Sequence, residues 1–255
     1  MDVSKRREVI KKLLLNQPFV SLTDLEEAFP NVSQMTLRRD IEYFEAQGDA
    51  IKVRGGARSM KFITSSMEDA FSKRLGENVI SKESLADSAV KMVETGRSIF
   101  LDSGTTMLKL ASKLPDERFT VTTTGPNVAL EIIKKQHPIV NIVGGMLNRD
   151  NISVVGNAAI DFIDNINIDI AFIVPSGISN DGLTGGNYTE CELKKTVIAK
   201  AHKVVALVSI SKTNKVLPYT ICPLESIDVL ICDRELPPDM LRLINIEKTK
   251  IIITQ

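Results

Sequence analysis

The hydrophobic positions at the start of the chain repeat with the spacing of α-helices. Residues 4–15 have one apolar stripe, which consists of Val9, Ile10, Leu13 and Leu14. Ser4 is available to cap this first helix. A second short helix is predicted to begin at Ser21 and to end at Pro30, because proline cannot continue a helix.

The third predicted helix lies between Ser33, a residue type favoured at N-caps, and Gly48, a residue type favoured just beyond helix C-termini. Leu37, Ile41 and Phe44 would form its inward stripe. Polar and basic residues lie near its start, as in the second helix of a helix-turn-helix. Hydroxyl, amide and guanidinium groups can bond phosphates and base edges, so DNA contacts are expected here. The expected contact residues are Ser33, Gln34, Thr36, Arg38 and Arg39.

Residues 51–54 alternate apolar and basic side chains, and a Gly-Gly pair follows them. This pattern predicts a β-hairpin wing whose basic residues lie along the sugar-phosphate backbone. The basic residues of the wing are Lys52, Arg54 and Arg58. Three-helix patterns are common, so a solvated bundle that binds a protein stays an alternative at this point.

From residue 84 onward, short β-branched runs alternate with amphipathic segments. Strands are predicted at 98–101, 119–123, 139–143, 169–174, 203–209, 229–232 and 250–253. Helices are predicted at 84–93, 106–114, 127–135, 189–201 and 238–243. This alternation indicates an α/β domain with a mostly parallel sheet. Such sheets bind ligands beyond the carboxyl ends of their strands.

Loops rich in glycine and hydroxyl groups follow several predicted strands. These groups, together with free backbone N–H groups, suit a phosphate. The loop residues proposed to bind a ligand are Asp102, Ser103, Gly104, Thr105, Thr106, Thr123, Thr124, Gly125, Gly144, Gly145, Ser176 and Gly177. Lys194, Lys195 and Lys212 could balance an anionic ligand. The alternative is that the topology requires glycine-rich turns whatever binds there.

Composition narrows the class of protein. The chain has 255 residues, of which 43% are hydrophobic and 25% are charged, and its net charge is zero. These are ordinary values for a globular protein. Three scattered cysteines and two isolated histidines predict no zinc site, and the cysteines are expected to be buried or half-buried thiols. No apolar run is long enough to span a bilayer and no signal-peptide pattern is present, so a cytoplasmic location without membrane contact is expected.

Two groups of motifs resemble the DeoR family of bacterial transcriptional regulators. The first is Val32-Ser33-x-x-Thr36-Leu37-Arg38-Arg39-Asp40-Ile41, followed by Gly48 and Arg54-Gly55-Gly56-Ala57. The second comprises Asp102–Thr106, Gly144-Gly145, Ala171–Ile178, Gly182–Thr184, Glu190–Lys195 and Ser211-Lys212. Phe71, Arg74 and Asn78 are also similar to a family F-x-x-R-x-x-x-N segment.

This resemblance implies a winged helix-turn-helix in residues 1–57, a linker in 58–74 and an effector sensor domain in 75–255. The sensor would be Rossmann-like and related in fold to ribose-phosphate isomerases and CoA transferases. Glu190 would join the effector-binding residues. The implied function is a repressor of a carbohydrate uptake or catabolism operon, released from double-stranded operator DNA by a phosphorylated sugar or sugar alcohol. The implied assembly is a dimer or tetramer, without a cofactor or catalytic residues.

Five sites depart from the family pattern. In the DNA-binding unit, Arg54 replaces a frequent histidine and Asp49-Ala50 replaces aliphatic residues. In the sensor, Val174-Pro175 replaces a glycine, Ser209 replaces an aspartate and Thr124-Gly125 replaces an asparagine. The last three lie at predicted ligand-side turns. Either the effector differs from the common ones, or its binding is weakened or lost.

Two alternative functions stay open. In a sugar-phosphate isomerase or deaminase, Asp102 would be a general base, Glu190 or Glu192 its partner, and Lys212 would steady an enediolate. A DNA-binding helix-turn-helix has no use in such an enzyme, which favours a regulator. In a protein-interaction adaptor, association would be insensitive to salt, whereas DNA binding weakens steeply as salt rises.

Overall fold

The computed structural model describes residues 2–17, 19–60, 71–244 and 248–254. The chain forms two compact units, Met1–Glu68 and Asp69–Gln255. No helix among these described residues combines the length and the apolar character needed to cross a membrane.

The N-terminal unit contains three helices and a small antiparallel sheet. Its elements are α1 (Val3–Asn16), β1 (Phe19–Ser21), α2 (Leu22–Ala28), α3 (Gln34–Ala46), β2 (Ala50–Val53) and β3 (Gly56–Ser59). The strand order is β1-β3-β2. A single buried cluster, which includes Ile10, Leu25, Leu37, Ile41 and Phe44, packs the helices against this sheet. The predicted helix-turn-helix and wing are therefore both present.

The start of α1 differs from the prediction. Asp2, and not Ser4, is the N-cap, because the Asp2 side chain accepts a hydrogen bond from the Ser4 N–H at 3.4 Å. Val9 is exposed, because the buried face of α1 follows the four-residue spacing of Arg6, Ile10 and Leu14. The predicted stripe was thus correct for Ile10 and Leu14 and wrong for Val9.

Local capping fixes the two helices of the helix-turn-helix as expected. Ser21 caps α2 in a capping box with Asp24, and these hydrogen bonds from Ser21 lower the pKa of Asp24. Ser33 caps α3 by accepting from the Thr36 N–H at 3.3 Å. Gly48 follows the helix with a φ of 75°, a left-handed conformation that glycine adopts without strain.

The wing turns at Arg54-Gly55, one residue earlier than the Gly-Gly pair suggested. Gly56 instead begins β3, where an added Cβ would lie 2.2 Å from the Val20 carbonyl oxygen of β1. Residues 58 and 59, assigned to the linker, belong to β3 because they complete its pairing with β2. Most of the remaining expected linker, residues 61–70, lies outside the described residues.

The C-terminal unit alternates helices and strands. Its helices are α4 (Phe71–Gly76), α5 (Val79–Val90), α6 (Thr105–Lys113), α7 (Pro126–Ile132), α8 (Asn157–Asp164), α9 (Tyr188–Lys200) and α10 (Pro238–Leu243). Its strands are β4 (Ser98–Leu101), β5 (Thr120–Thr123), β6 (Ile139–Ile142), β7 (Met146–Asn148), β8 (Ser153–Val155), β9 (Ile170–Ile173), β10 (Gly177–Ser179), β11 (Gly182–Gly185), β12 (Val204–Val208), β13 (Tyr219–Cys222), β14 (Val229–Cys232) and β15 (Lys250–Ile253).

Seven of these strands form one parallel sheet in the order β15-β14-β12-β9-β4-β5-β6. Separate apolar clusters cover its two faces, so the central strands β9 and β12 are buried along their whole length. This confirms the predicted α/β fold and all seven predicted strands. Helix α5 begins five residues earlier than predicted, directly after Asn78, whose left-handed φ of 50° sets its start.

Two small sheets were not predicted. One is the β7-β8 hairpin, and the other has the order β10-β11-β13. Their strands have only three or four residues and mix glycine and polar side chains, so they carry no clear period-two signal. The β7-β8 hairpin contributes Ser153 to the site described below.

Candidate functional site

The outer side of α3 presents the residues predicted to contact DNA. Gln34, Arg38 and Arg39 are exposed, and the four-residue spacing puts Gln34 and Arg38 on one face. Ser33 and Thr36 stabilise the N-terminus of α3, since their hydroxyl oxygens lie 2.9 Å apart in the helix cap. Two guanidinium groups and one amide are thus available for phosphates or base edges.

The wing supplies the other predicted contacts. Lys52, Arg54 and Arg58 are all exposed on the β2-β3 hairpin. A groove of about 490 Å³ separates α3 from the wing, with Arg38 and Arg54 among its lining residues. Lys52 already pairs with Glu42 at 2.6 Å, and this ammonium group lowers the pKa of Glu42. A phosphate would therefore have to compete with Glu42 for Lys52.

A buried ion pair joins α3 to α1 on the side of α3 that faces the core. The Asp40 carboxylate lies 2.6 Å from Arg6 Nε and 3.0 Å from Arg7 Nε. Asp40 and Arg6 are almost fully buried, and the hydrogen bond with Asp40 raises the pKa of Arg6 above its ordinary value. Arg7 also stacks over Tyr43, with its Cζ 3.6 Å from the ring centroid. This ties α1 to α3, so the exposed face of α3 has a fixed orientation within its unit.

The ion pair between Asp40 and the two arginines of α1 was not predicted, although the position of Asp40 in the sequence gave a signal for it. Asp40 falls between Leu37, Ile41 and Phe44, on the stripe that faces the core. A carboxylate at such a position requires a cationic partner, because burying an unpaired charge is costly. The sequence does not show that Arg6 and Arg7 of α1 are the partners.

The second candidate site lies at the carboxyl end of β4. Asp102 is buried, and its Oδ2 lies 2.8 Å from Lys194 Nζ of α9. The same oxygen accepts from the Val174 N–H at 3.0 Å, and Lys194 donates to the Val174 carbonyl oxygen at 2.9 Å. Asp102 and Lys194, predicted separately, therefore form one charge-neutral pair.

Glu190 lies one turn before Lys194 on α9 and is also buried. Its carboxylate accepts from Asn148 Nδ2 at 3.1 Å, from Asn151 Nδ2 at 2.8 Å and from the Ser153 hydroxyl. All three donors belong to the β7-β8 hairpin. The predicted effector residue Glu190 is therefore held by a small sheet that the sequence did not reveal.

These two carboxylates border one small cavity. Its lining includes Asp102, Ser103, Thr124, Ser153, Glu190 and Lys194. The cavity volume is about 10 Å³, roughly the space of one water molecule. A ligand as large as a sugar requires the lining side chains, above all Lys194 and Glu190, to move or change partners.

The remaining predicted residues lie around this cavity or beside it. Gly104, Thr105 and Thr106 continue the Asp102 loop into α6, and Thr123 Oγ1 accepts from the Gly125 N–H at 3.0 Å after β5. Gly144, Gly145, Ser176, Gly177 and Lys212 do not line it. Lys212 donates to the Pro175 carbonyl oxygen at 2.8 Å, in the loop after β9.

Backbone packing accounts for two of the predicted glycines. An added Cβ on Gly145 would lie 2.5 Å from the Val155 carbonyl oxygen, and one on Gly177 would lie 2.1 Å from the Lys215 carbonyl oxygen. Glycine is therefore required at both positions by neighbouring backbone, which belongs to β8 at Gly145 and to the loop before β13 at Gly177. The sequence pattern could not separate this reason from close approach of a ligand.

Ser209, which follows β12 where the family pattern has an aspartate, lies beside the carboxylate of Asp233. Ser209 Oγ donates to Asp233 Oδ2 at 2.9 Å, and the Ile210 N–H donates to Asp233 Oδ1 at 2.6 Å. Asp233 follows β14, the neighbouring strand of the sheet. A carboxylate is thus retained at this edge, although it comes from a different loop.

Among the described residues, no group of three or more His, Cys, Asp or Glu side chains could hold a metal ion. The three cysteines are buried, and none of them forms a disulfide bond. Burial raises the pKa of both Cys222 and Cys232 to about 12. These thiols remain protonated at neutral pH.

Comparison with known proteins agrees with this arrangement. Residues 6–62 match the model of the DeoR-like helix-turn-helix domain, and residues 77–234 match that of the DeoR C-terminal sensor domain. An HTH-type transcriptional regulator of Haemophilus influenzae is 30% identical over 93% of this chain and 92% of its own length. The glycerol-3-phosphate regulon repressor of Escherichia coli (strain K12) is 26% identical over 96% of each chain.

Ribose 5-phosphate isomerase A of Methanocaldococcus jannaschii is a distant structural neighbour. It is 21% identical, covers 52% of this chain and 54% of its own, and has a TM-score of 0.38. A likeness this distant carries no argument about activity.

Proposed function

The chain belongs to the DeoR family of transcriptional regulators, and we propose that it represses a carbohydrate uptake or catabolism operon. Its family makes it a regulator and not an enzyme. We further propose that a phosphorylated sugar or sugar alcohol releases it from operator DNA. Because its partner is chromosomal DNA, we place its action in the cytoplasm.

The observation that carries the DNA-binding role is the exposed row of Gln34, Arg38 and Arg39 on a helix fixed from behind by Asp40. Arginine can fork onto guanine or pair with phosphate, and glutamine can bond adenine or phosphate. The basic residues of the wing extend this surface along the sugar-phosphate backbone of the DNA. Repression is supported by the name of the Escherichia coli relative, which is a regulon repressor.

The effector role is supported by the Asp102–Lys194 pair at the carboxyl end of a parallel sheet. A carboxylate can accept from sugar hydroxyl groups, and a lysine can donate to a phosphate. While Asp102 and Lys194 form an ion pair, their opposite charges compensate each other beside the small cavity. An incoming sugar phosphate would offer each of them a new partner, which gives the effector a means to favour a second conformation.

We propose that the chain works as a homo-oligomer assembled through the β6 edge of the sheet. Large apolar side chains are exposed on α7, β6 and β7, namely Leu130, Ile133, Ile139, Ile142, Met146 and Leu147. Each exposes 46–67% of its area, and large exposed apolar patches mark interaction sites. Strand β6 carries no charge, whereas natural edge strands are usually protected by one.

A second copy suits this surface better than another protein. Regulators with a helix-turn-helix bind two half-sites with two symmetric heads, so the proposed function itself requires a partner of the same sequence. At the opposite edge, β15 begins with an exposed lysine, Lys250, that discourages pairing.

The first test is fluorescence anisotropy of full-length protein with DNA from upstream of its own and neighbouring genes, across a salt series. Selective binding that weakens as salt rises supports the proposal, because phosphate contacts release counterions. Arg39→Ala should weaken binding, and Arg97→Ala, which removes an exposed arginine from the C-terminal unit, should not. Absence of selective binding to any of these DNAs would refute the regulator role.

The effector role has its own test. Ribose 5-phosphate, glucosamine 6-phosphate and glycerol 3-phosphate are added to the protein–DNA complex in turn. An Asp102→Ala variant should keep its DNA affinity and lose the response to the active compound. A normal response from that variant would remove Asp102 from the effector site.

A further inference from the structure

The segment Phe71–Asn78 has no role in the function proposed so far. Phe71 and Arg74 lie on α4, which is the first described element after residues 61–70. Asn78 ends the segment in a left-handed conformation with a φ of 50°. In the sequence, α4 is the first element of the C-terminal unit, and residues 61–70, which lie outside the described part of the chain, precede it.

Helix α4 is bonded to the hairpin that holds Glu190. The Phe71 N–H donates to the Asp150 carbonyl oxygen at 2.8 Å. Arg74 Nη2 donates to Asn151 Oδ1 at 2.7 Å. Because Asn151 in turn donates to Glu190 at 2.8 Å, an uninterrupted row of hydrogen bonds joins α4 to the cavity.

The guanidinium of Arg74 also borders the Asp102 loop. Its Nη1 lies 3.9 Å from the position that a Cβ on Gly104 would occupy. Gly104 has a φ of 105° and precedes α6, a nine-residue helix whose first N–H groups point toward this loop. Arg74 and the start of α6 thus approach the same place from two directions.

The charges around Arg74 favour an anion there. Lys82 donates to the carbonyl oxygens of Arg74 and Glu77. Burial lowers the pKa of Lys82, the positive charge of Arg74 lowers it further, and the negative charge of Glu77 raises it. An anion bound by Arg74 would reduce the repulsion between Arg74 and Lys82.

We propose that Arg74 binds the anionic group of the effector beside Gly104, and that it exchanges Asn151 for this anion when the effector enters. This inference rests on the proposed function and adds a ligand residue to its site. A guanidinium forks onto two phosphate oxygens, which makes the phosphate a stronger partner than the neutral amide of Asn151. The exchange loosens the bond between α4 and the hairpin, so occupancy of the cavity is transmitted to the segment that leads to the DNA-binding unit.

The test uses full-length protein and two variants of Arg74. Arg74→Lys keeps the charge and loses the fork, and Arg74→Gln keeps a donor for Asn151 and loses the charge. Binding of inorganic phosphate, ribose 5-phosphate, glucosamine 6-phosphate and glycerol 3-phosphate is measured by calorimetry, with ribose and glycerol as uncharged controls. Release of DNA is measured by anisotropy in the same samples.

We expect Arg74→Gln to weaken binding of the active phosphorylated compound roughly 10- to 100-fold, the loss expected for one charged hydrogen bond. Arg74→Lys should weaken it less. The matched control is Arg97→Lys, at the amino end of β4, which should bind as the wild type does. The melting temperature without effector should stay close to that of the wild type in all three, which shows that the variants fold.

The outcomes separate the two proposals. If wild type and Arg74→Gln bind the same compound equally and release DNA equally, Arg74 is not a ligand and this inference is overturned, while the proposed function stands. If Arg74→Gln melts early without any phosphorylated compound, its role is structural and the inference is also overturned. If wild type responds to none of the phosphorylated compounds, both the proposed effector class and the role of Arg74 fall.

Discussion

Replacing Asp40 with alanine should unfold the DNA-binding unit and leave the C-terminal unit folded. The carboxylate of Asp40 is only 2% exposed, and its partner Arg6 is 6% exposed. Removing one member of a buried pair leaves the other charge without compensation, at a cost of about 3–5 kcal/mol. A domain of about 60 residues buries too little surface to absorb such a loss easily.

The assay is hydrogen exchange of the full-length protein, followed separately for peptides of the two units. In Asp40→Ala, amides in α1 and α3 should exchange several hundred-fold faster or more, as expected from a cost of about 3–5 kcal/mol. Peptides from the parallel sheet should be unchanged. Anisotropy should show loss of operator binding in the same preparation.

Glu42→Gln is the matched control, since it breaks an ion pair of the same length on the exposed side of α3. Exposed pairs contribute little, so exchange in α1 and α3 should remain as in the wild type. A second variant, Arg6→Met with Asp40→Leu, removes both buried charges and should recover most of the protection. Equal exchange in Asp40→Ala and wild type would refute the reasoning that this pair holds the recognition helix.

Three further predictions concern the C-terminal unit. Gly145→Ala should destabilise it by about 1–3 kcal/mol, because its Cβ would collide with backbone, whereas Gly144→Ala has open space; equal urea midpoints would contradict this. A thiol reagent at pH 7.5 should leave Cys222 and Cys232 unmodified until urea unfolds the chain, because burial keeps their pKa at about 12; rapid labelling of the native protein would argue against it. Ile142→Lys should reduce the oligomer to a smaller species in sedimentation velocity and weaken operator binding, and an unchanged sedimentation coefficient would exclude the β6 edge as the interface.

Sequence analysis succeeded where local rules decide the structure. Ser33 and Gly48 mark the two ends of α3 as predicted, because capping depends on a few neighbouring residues. The seven strands of the main sheet were found because buried parallel strands are runs of β-branched residues. Asp102 and Lys194 were both proposed for the site, but their pairing follows from how α9 packs against β4 and β9.

The features that sequence analysis missed depend on distant contacts. Asp40 needs Arg6, which is 34 residues away, and Glu190 needs donors from a hairpin about 40 residues earlier in the chain. Gly145 looked like a residue for a ligand because the pattern shows only that a side chain is missing, and not what excludes it. Arg74 stood in a motif with no assigned role until the structure placed it beside Gly104.

The parallel sheet has an evolutionary consequence for this regulator. Each of its ligand-side loops begins at the end of a different buried strand, so these loops are far apart in the gene although they meet in space. The loop at Val174-Pro175 bonds Asp102, Lys194 and Lys212 through its backbone N–H and carbonyl groups, so its side chains can be replaced while these contacts are kept. Asp233, which follows the neighbouring strand, supplies a carboxylate beside Ser209. Sensors of this design can diverge toward new signals one loop at a time, while the surface that recognises DNA stays unaltered.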